Sequence, residues 1–422
     1  MRVLVLEKHG FKGSKVTVAT LGKAGDNYGS NVKSIIAERE DGETLKMVAK
    51  VAPTTEFFRK TLNVEVVFKN ESIMYDKILP KFRLLEIEAD VPEEDRLKFP
   101  TCYGTINEEL HEIVLLEDLR ESDYFMNDRF KCMTDKEVRV ILNAFAKLHS
   151  FSFVLKRNDL VTYKKFTSEL TDYFTSQSME ENINTNFRLL EDHVYSLFDD
   201  NRYKDKIRGC LTNIAKEAHK LRKGDAGSTH SVIIHGDSWN NNILLKQVNR
   251  RLHSKPNNDG TTEECMLIDY QLSTERSPVS DILYLIFSST DYETRSKNYE
   301  SWIDEYHVNL DKYLSYYGIK VSYVYPKEKM LADLKRYSKF FLGWSITIAN
   351  VLCMNTEDAF PSVSGAFRNL FLVESLKHSN LPITSKPALA SLRETRPYPY
   401  SKIVKHNPRT NLFLRALFFI LH

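Results

Sequence analysis

At 422 residues the chain is long enough to bury two sizeable cores. Its 59 Lys and Arg against 57 Asp and Glu leave a formal charge of +2, which removes any bulk electrostatic case for nucleic-acid binding. The 5 cysteines (Cys102, Cys132, Cys210, Cys265 and Cys353) are odd in number and scattered, with no CxxC pair, so a disulfide framework and a zinc site are both disfavoured and a reducing, cytoplasmic setting is expected.

Residues 1–8 carry too short an apolar run for a signal peptide, and no internal run reaches the ~18 apolar residues expected of a membrane span. Residues 16–21, 32–39 and 44–51 read as three strands. The first two flank a glycine-containing turn, residues 22–30, where Gly22, Gly25 and Gly29 could bring backbone N–H groups close to a phosphate. Asp41-Gly42 between the second and third strands is a hairpin signal. The third strand ends at Lys50.

A helix is expected over residues 56–78, ended by Pro80. Val64, Val67, Phe68, Glu71, Tyr75 and Ile78 fall on one stripe of it. A carboxylate in an apolar stripe is costly unless paired, and Lys50 is the natural partner for Glu71. The plainer alternative is a Glu71 that reaches solvent at the edge of the stripe. Residues 111–119 read as a further strand running through Glu117 to Leu119, and the boundary between two lobes is expected at about this point.

The second half reads as mostly helical. Thr134 to Glu137 forms a capping box before Val138, Ile141, Leu142, Phe145 and Leu148, and His149 is expected to close that helix, meeting its dipole. Residues 337–354 read as a core helix. Ser231-Val-Ile-Ile leads as a buried strand into His235-Gly236-Asp237-Ser238-Trp239-Asn240-Asn241-Asn242, and Met266-Leu-Ile leads into Asp269-Tyr270-Gln271. One loop therefore presents Asp237 and Asn242, and a neighbouring strand end presents Asp269. Two carboxylates and an amide are oxygen donors suited to Mg²⁺ that also holds phosphates. The bland alternative is a strand-turn-strand whose polar residues only cap a turn.

The polar segment 247–264 reads as a hairpin loop between these strands. Asp281 opens an apolar helix, either as a first-turn acid or as a brace for the backbone at His235. The apolar run from Leu412 to Leu421 is too short to span a bilayer. Docking on the second lobe is the first reading, and interfacial membrane contact with Lys402, Lys405, Arg409 and Arg415 is the second.

An Asp followed five residues later by Asn, then by a further Asp, is the pattern of a kinase catalytic loop and its second metal ligand. At His235-Gly-Asp237-x-Trp239-x-Asn-Asn242, Asp269-Tyr-Gln271, Leu116-Glu-Asp-Leu119, Val48-Ala-Lys50 and Phe68-x-x-Glu71-x-x-x-Tyr75 the chain resembles the ecdysteroid kinase-like family of the aminoglycoside phosphotransferase and choline kinase superfamily. The resemblance runs in order across residues 20–290. Tyr270 stands where Phe is commoner, and Asn240 where a small or hydroxyl residue is usual.

The resemblance implies an α+β, two-lobed, protein-kinase-like fold. Residues 1–119 would form a small antiparallel-sheet nucleotide lobe, and residues 120–422 a larger, mainly helical catalytic and acceptor lobe. It implies ATP and Mg²⁺ as cofactors and phosphorylation of a hydroxyl on an ecdysteroid or a hydroxylated xenobiotic. Asp237 would be the catalytic base, with Asn242 and Asp269 on the metal. Lys50 and Glu71 would serve the phosphates, Gly25 and Ser30 the glycine turn, and Glu117 and Leu119 the adenine through the backbone. The short segment after Asp269 lacks a long peptide-docking loop, so the partner is a small hydroxylated molecule.

Two rivals remain at this stage. One is a same-fold kinase for choline, ethanolamine or a polyamine, which would want an acidic, aromatic-walled pocket. The other is a nucleotide-binding pseudokinase without turnover. Acceptor contacts are expected from residues 120–133, 160–200 and 340–375.

Overall fold

The computed structural model describes residues 2–21, 30–61, 63–128, 131–173, 180–196, 201–248 and 261–353. Gly22, Gly25, Gly29, the tip of the 247–264 loop and the apolar stretch near the C-terminus lie outside these residues.

The amino-terminal region opens with helix α1 (Arg2–Lys8), then strands β1 (Lys15–Thr20), β2 (Asn31–Glu38) and β3 (Thr44–Val51). Helices α2 (Glu56–Thr61), α3 (Val64–Ile73) and α4 (Leu79–Glu88) precede β4 (Cys102–Ile106) and β5 (Ile113–Glu117). The five strands form one antiparallel sheet in the order β1-β2-β3-β5-β4. Asp41 and Gly42 turn the β2–β3 hairpin as the sequence predicts. Asp41 Oδ1 accepts the Glu43 N–H at 3.1 Å, and Gly42 holds φ +85°.

Strand alternation then sorts the side chains of β3. Leu45, Met47, Ala49 and Val51 belong to the cluster that includes Val5 and Leu6 of α1, so Lys46, Val48 and Lys50 take the opposite face. On the neighbouring β5, Val114 and Leu116 join the larger core, to which Val67 and Phe68 of α3 also belong.

The helix expected over 56–78 is differently built. Asn63 breaks it in a left-handed conformation, φ +48°. Pro80 does not end it. Met74–Ile78 form a π turn in which the Leu79 N–H bonds the Met74 carbonyl, and Pro80 enters in the first turn of α4, where no backbone donor is required.

The carboxyl-terminal region contains β6 (Phe125–Met126), α5 (Asp135–Asn158), α6 (Leu160–Glu169), α7 (Glu180–Ser196), α8 (Asn201–Ile207) and α9 (Ile214–Asp225). Strands β7 (Val232–Ile234), β8 (Ile243–Val248), β9 (Thr261–Leu267) and β10 (Thr274–Arg276) follow. Helices α10 (Val279–Ser289), α11 (Tyr292–Ser315), α12 (Val321–Val324) and α13 (Lys327–Cys353) complete it. β7 pairs with β10, and β8 pairs with β9 and β6.

The capping box at Thr134 and Glu137 is present in both directions. His149 does not close α5. No Gly or Pro follows it before Asn158, so the helix runs on and His149 is fully buried within it. α5 is also the one described helix long and apolar enough to cross a bilayer, which the run-length criterion passes over; 72% of that window is buried inside the protein, as in a core helix. α13 begins ten residues earlier than the expected 337, at Lys327. It passes so close to the α8–α9 connection that a Cβ on Gly343 would lie 2.3 Å from the Cys210 carbonyl oxygen. The architecture is thus α+β, an antiparallel five-stranded region followed by a mostly helical one.

Candidate active site

Because Lys50 faces away from the α1 side of the sheet, its Nζ can reach Glu71 Oε2 on α3 at 2.6 Å. The same Nζ reaches Asp269 Oδ1, just past β9, at 2.8 Å. Glu71 is 1% exposed, and its Oε1 has no hydrogen-bond partner. Two carboxylates share one lysine here. Burial disfavours the Lys50 charge, but Asp269 and Glu71 together outweigh it and hold the lysine protonated. Burial pushes the Glu71 carboxyl up, opposed by Lys50 and reinforced by the charge of Asp269.

A residue that sequence reasoning missed fixes α3 in place. Asn70, fully buried, donates Nδ2 to the carbonyls of Thr171 at 2.8 Å and Gln271 at 3.3 Å, and its Oδ1 accepts the Thr171 N–H at 2.9 Å. The helix carrying Glu71 is thereby tied to the segment just after Asp269. The signal was available: a second polar residue sits beside Glu71 among apolar neighbours. Asp269 itself holds φ +65°, ψ +65°, which a non-glycine residue seldom adopts unless its surroundings enforce it.

The loop after β7 is shaped by Gly236, at φ +86°, where a Cβ would lie 2.2 Å from the Leu272 carbonyl oxygen. Asp281, at the start of α10, accepts the backbone N–H groups of His235 at 2.7 Å and Gly236 at 2.9 Å. His149 Nε2 lies 3.1 Å from the same carboxylate, and its Nδ1 lies 2.8 Å from the Tyr306 hydroxyl. Burial works to raise the Asp281 carboxyl, but His149 and these backbone donors hold it below the ordinary carboxylate value. Asp281 thus realises both sequence readings, a first-turn acid of α10 and a brace for the backbone at His235, and His149 serves that brace. The His235 ring bonds the Ile268 carbonyl at 2.9 Å, linking this loop to the residue before Asp269.

Within the loop, Asn242 Nδ2 donates to Asp237 Oδ2 at 2.8 Å. The Tyr284 hydroxyl of α10 donates to Asp237 Oδ1 at 2.8 Å; sequence reasoning did not find this residue. Burial, aided by the charge of Asp269, pushes the Asp237 carboxyl up to about 6, with the Tyr284, Gln271 and Asn242 hydrogen bonds opposing. The Ile268 N–H bonds the Asn242 carbonyl at 3.0 Å, which brings the Asp237 loop and Asp269 side by side.

The remaining predicted positions divide. Leu119 is buried in a small cluster with Tyr124 and Met266, against which Leu244 and Ile268 pack, so it abuts the strands that carry Asn242 and Asp269. Glu117 ends β5, and its Oε2 accepts the Thr101 N–H at 3.1 Å, a contact within the sheet. Ser30 immediately precedes β2 and is half-buried. The structure therefore gathers Lys50, Glu71, Asp237, Asn242 and Asp269, with Leu119 alongside. Among the described residues no three His, Cys, Asp or Glu side chains cluster as a self-sufficient metal site.

Such a site, a strand lysine paired with a helix glutamate and facing an Asp–Asn loop and a following Asp, defines a kinase-like protein. The chain belongs to the Ecdysteroid kinase-like family, whose model matches residues 24–319. No curated protein matches it. Among solved structures it is similar to the crystal structure of aminoglycoside phosphotransferase APH(2'')-Ib, ADP-bound, at 13% identity, covering 88% of this chain and 100% of that one with a TM-score of 0.27.

Proposed function

We propose that the chain is an ATP- and Mg²⁺-dependent small-molecule kinase that phosphorylates a hydroxyl of a lipophilic alcohol such as an ecdysteroid or a hydroxylated xenobiotic. The observation that carries this reading is the placement of Asp237 beside the Lys50–Glu71–Asp269 chain of hydrogen bonds. On this reading residues 1–119 hold the nucleotide, and the rest of the chain supplies the base and the acceptor site.

The donor set fits Mg²⁺-ATP. Asn242 spends its Nδ2 on Asp237, which leaves its Oδ1 as the ligand atom, and Asp269 adds a carboxylate. An all-oxygen pair completed by phosphates and water suits Mg²⁺, which seldom uses an all-protein cage. When bound, the cation neutralises charge on the phosphate oxygens.

The rest of the work falls to the chain. Lys50, kept protonated by two carboxylates, holds the phosphates, and Glu71 keeps it on the cleft side of β3. Leu119 and the small apolar cluster around it flank the adenine. Asp237 orients the acceptor hydroxyl and takes its proton onto the carboxylate as the oxygen attacks the terminal phosphorus, whose bond to the bridging oxygen breaks and releases ADP. Its pull toward a near-neutral value suits a base operating at physiological pH. The large backbone-bonded brace at Asp281 keeps that carboxylate in position before substrate arrives.

The test is Mg²⁺-dependent ADP release from the purified protein, screened over ecdysteroids, other sterols, hydroxylated xenobiotics and choline, with Asp237→Asn alongside. Stimulation by a neutral alcohol that vanishes in the variant supports the reading. Nucleotide binding with no stimulation by any acceptor would instead favour a pseudokinase.

A further inference from the structure

Residues 64–98 run from α3 through α4 toward β4. By chain order they belong with the sheet, yet they are bonded at three levels to the carboxyl-terminal region. At the α3 end, Asn70 is fully buried, and both atoms of its amide bond the Thr171 backbone, at 2.8 and 2.9 Å. Four residues past Glu71, the Tyr75 ring meets the Tyr270 ring edge to face, with centroids 5.6 Å apart. In α4, Phe82 stacks on Phe151 of α5 at 4.6 Å, and both rings are buried. Beyond α4, the Lys147 ammonium of α5 donates to the carbonyls of Glu94 and Arg96 at 3.2 and 3.4 Å. Asp95 accepts from Lys312 and from the Tyr316 hydroxyl of α11, at 2.7 and 2.6 Å. Glu86 folds this last segment back onto α4 by accepting the Leu97 N–H at 2.6 Å. The pair Lys77–Glu169 is half-exposed and adds little by itself.

The ties to the sheet are of another kind. Val67 and Phe68 share a core with Val114 and Leu116 of β5, an apolar contact that fixes no direction. Ser72 Oγ donates to Asn107 Oδ1 at 2.8 Å, just past β4, and Thr105 of β4 bonds Asp76. Both of these bonds sit at the β4 edge of the sheet. Among the described residues, the one hydrogen bond from β1, β2 or β3 to α3 or α4 is that of Lys50 to Glu71. Those three strands meet the carboxyl-terminal region through Lys50 and Asp269, and through the half-exposed pair Lys46 and Glu121. A buried amide bonded on both atoms fixes position, whereas an apolar face permits small sliding. Lys50 therefore stands at a joint. Its two partners lie on the same side of that joint, because Asn70 beside Glu71 also bonds the carbonyl of Gln271, two residues after Asp269.

We propose that residues 64–98 move with the carboxyl-terminal region, so that the nucleotide cleft opens and closes by a swing of β1, β2 and β3 about the β4–β5 edge of the sheet. The swing carries Lys50 to and from a Glu71–Asp269 pair that stays assembled. α3 is then a fixed part of the catalytic region, and the sheet is the part that moves. The use of nucleotide to drive the swing rests on the kinase reading above; the grouping of α3 and α4 with the catalytic region does not.

The experiment places spin labels at exposed Val18 of β1, Ile87 of α4 and Val308 of α11, two at a time in the full chain. The labels are carried on ketone side chains, so the native cysteines are untouched. Pair distances are read with and without Mg²⁺ and a non-hydrolysable ATP analogue. The distances from Val18 to Ile87 and from Val18 to Val308 should shift by about 2 Å or more, while that from Ile87 to Val308 stays within about 1 Å. A shift between Ile87 and Val308 as large as that between Val18 and Val308 overturns the proposal. So does the absence of any shift once titration shows the analogue bound. An analogue that does not bind counts against the kinase reading instead, and the grouping is then decided by hydrogen exchange of the unliganded chain in rising denaturant. Amides of α3 and α4 should open with those of α5, after β1, β2 and β3 have already opened. Opening of α3 and α4 together with those strands overturns the proposal.

Discussion

Tyr284 donates its hydroxyl to Asp237 Oδ1 at 2.8 Å, while Asn242 occupies Oδ2 at the same distance. The carboxylate is therefore held from both sides, by its own loop and by α10. Its ring also packs near Phe341 and Trp344 of α13, so one side chain links the proposed base to that helix. Tyr284→Phe keeps the ring and removes the donor. Loss of a hydrogen bond to a charged group is worth about 1.5–3 kcal/mol. The expected outcome is a fall of about ten- to a hundredfold in kcat for ADP release, with nucleotide affinity unchanged.

Asp237 and Asp269 should fail in different ways. Asp237→Asn is expected to lower turnover by at least about a hundredfold while sparing Mg²⁺-ATP binding. Asp269→Ala is expected to lose the Mg²⁺-dependent part of nucleotide binding, because it removes a metal ligand and one of the two carboxylates on Lys50. Titration of nucleotide with and without Mg²⁺, alongside turnover, separates the two. Wild-type turnover in either variant would remove the assigned roles.

Asp281 makes a stability prediction with a definite sign. Its carboxyl is held below its unfolded value, near 3.9, by His149 and the backbone donors that overcome burial. The stabilisation is present above that unfolded value and is lost as pH falls through the lower folded one. Asp281→Asn cannot accept the same donors. Breaking a buried charged network by removing one partner costs about 3–5 kcal/mol. The expected result is a lower Tm at neutral pH and a shallower loss of stability in acid, read from thermal melts between neutral pH and about pH 3.

Gly236 tests the geometry of the loop independently of any charge. Gly236→Ala places a methyl on backbone at φ +86° and within 2.2 Å of the Leu272 carbonyl oxygen, which is backbone and cannot rotate away. Activity should be lost and stability lowered by more than about 1 kcal/mol, by the combined strain and clash. A fully active, equally stable alanine variant would show that the loop does not need this turn.

Much of the site was legible because its residues sit at the ends of apolar runs. The run from Ser231 points at Asp237 and the run from Met266 points at Asp269; the structure then packs α1 on one face of β3, and strand alternation leaves Lys50 on the other. The apolar stripe of α3 marked Glu71 as a carboxylate in need of a partner, and the structure supplies Lys50 at 2.6 Å. The errors were errors of range. Pro80 reads as a stop because local propensity does not anticipate a π turn, and His149 reads as an end because nothing local says that Asp281, far along the chain, will bond it.

By itself the sequence determined the types of most elements and the order of the chemistry-bearing residues, and it pointed to the pairing of a strand lysine with a helix glutamate, since these follow from short-range period and from the cost of burying a charge alone. Only the tertiary structure decided which groups hold Asp237. Asn242 lies five residues away and was visible. Tyr284, Asp281 and Asn70 act across long sequence separations, and which polar groups meet in a core is fixed by the packing of helices and strands. Asp172 and Arg276 are 104 residues apart, and only the tertiary structure brings their side chains together.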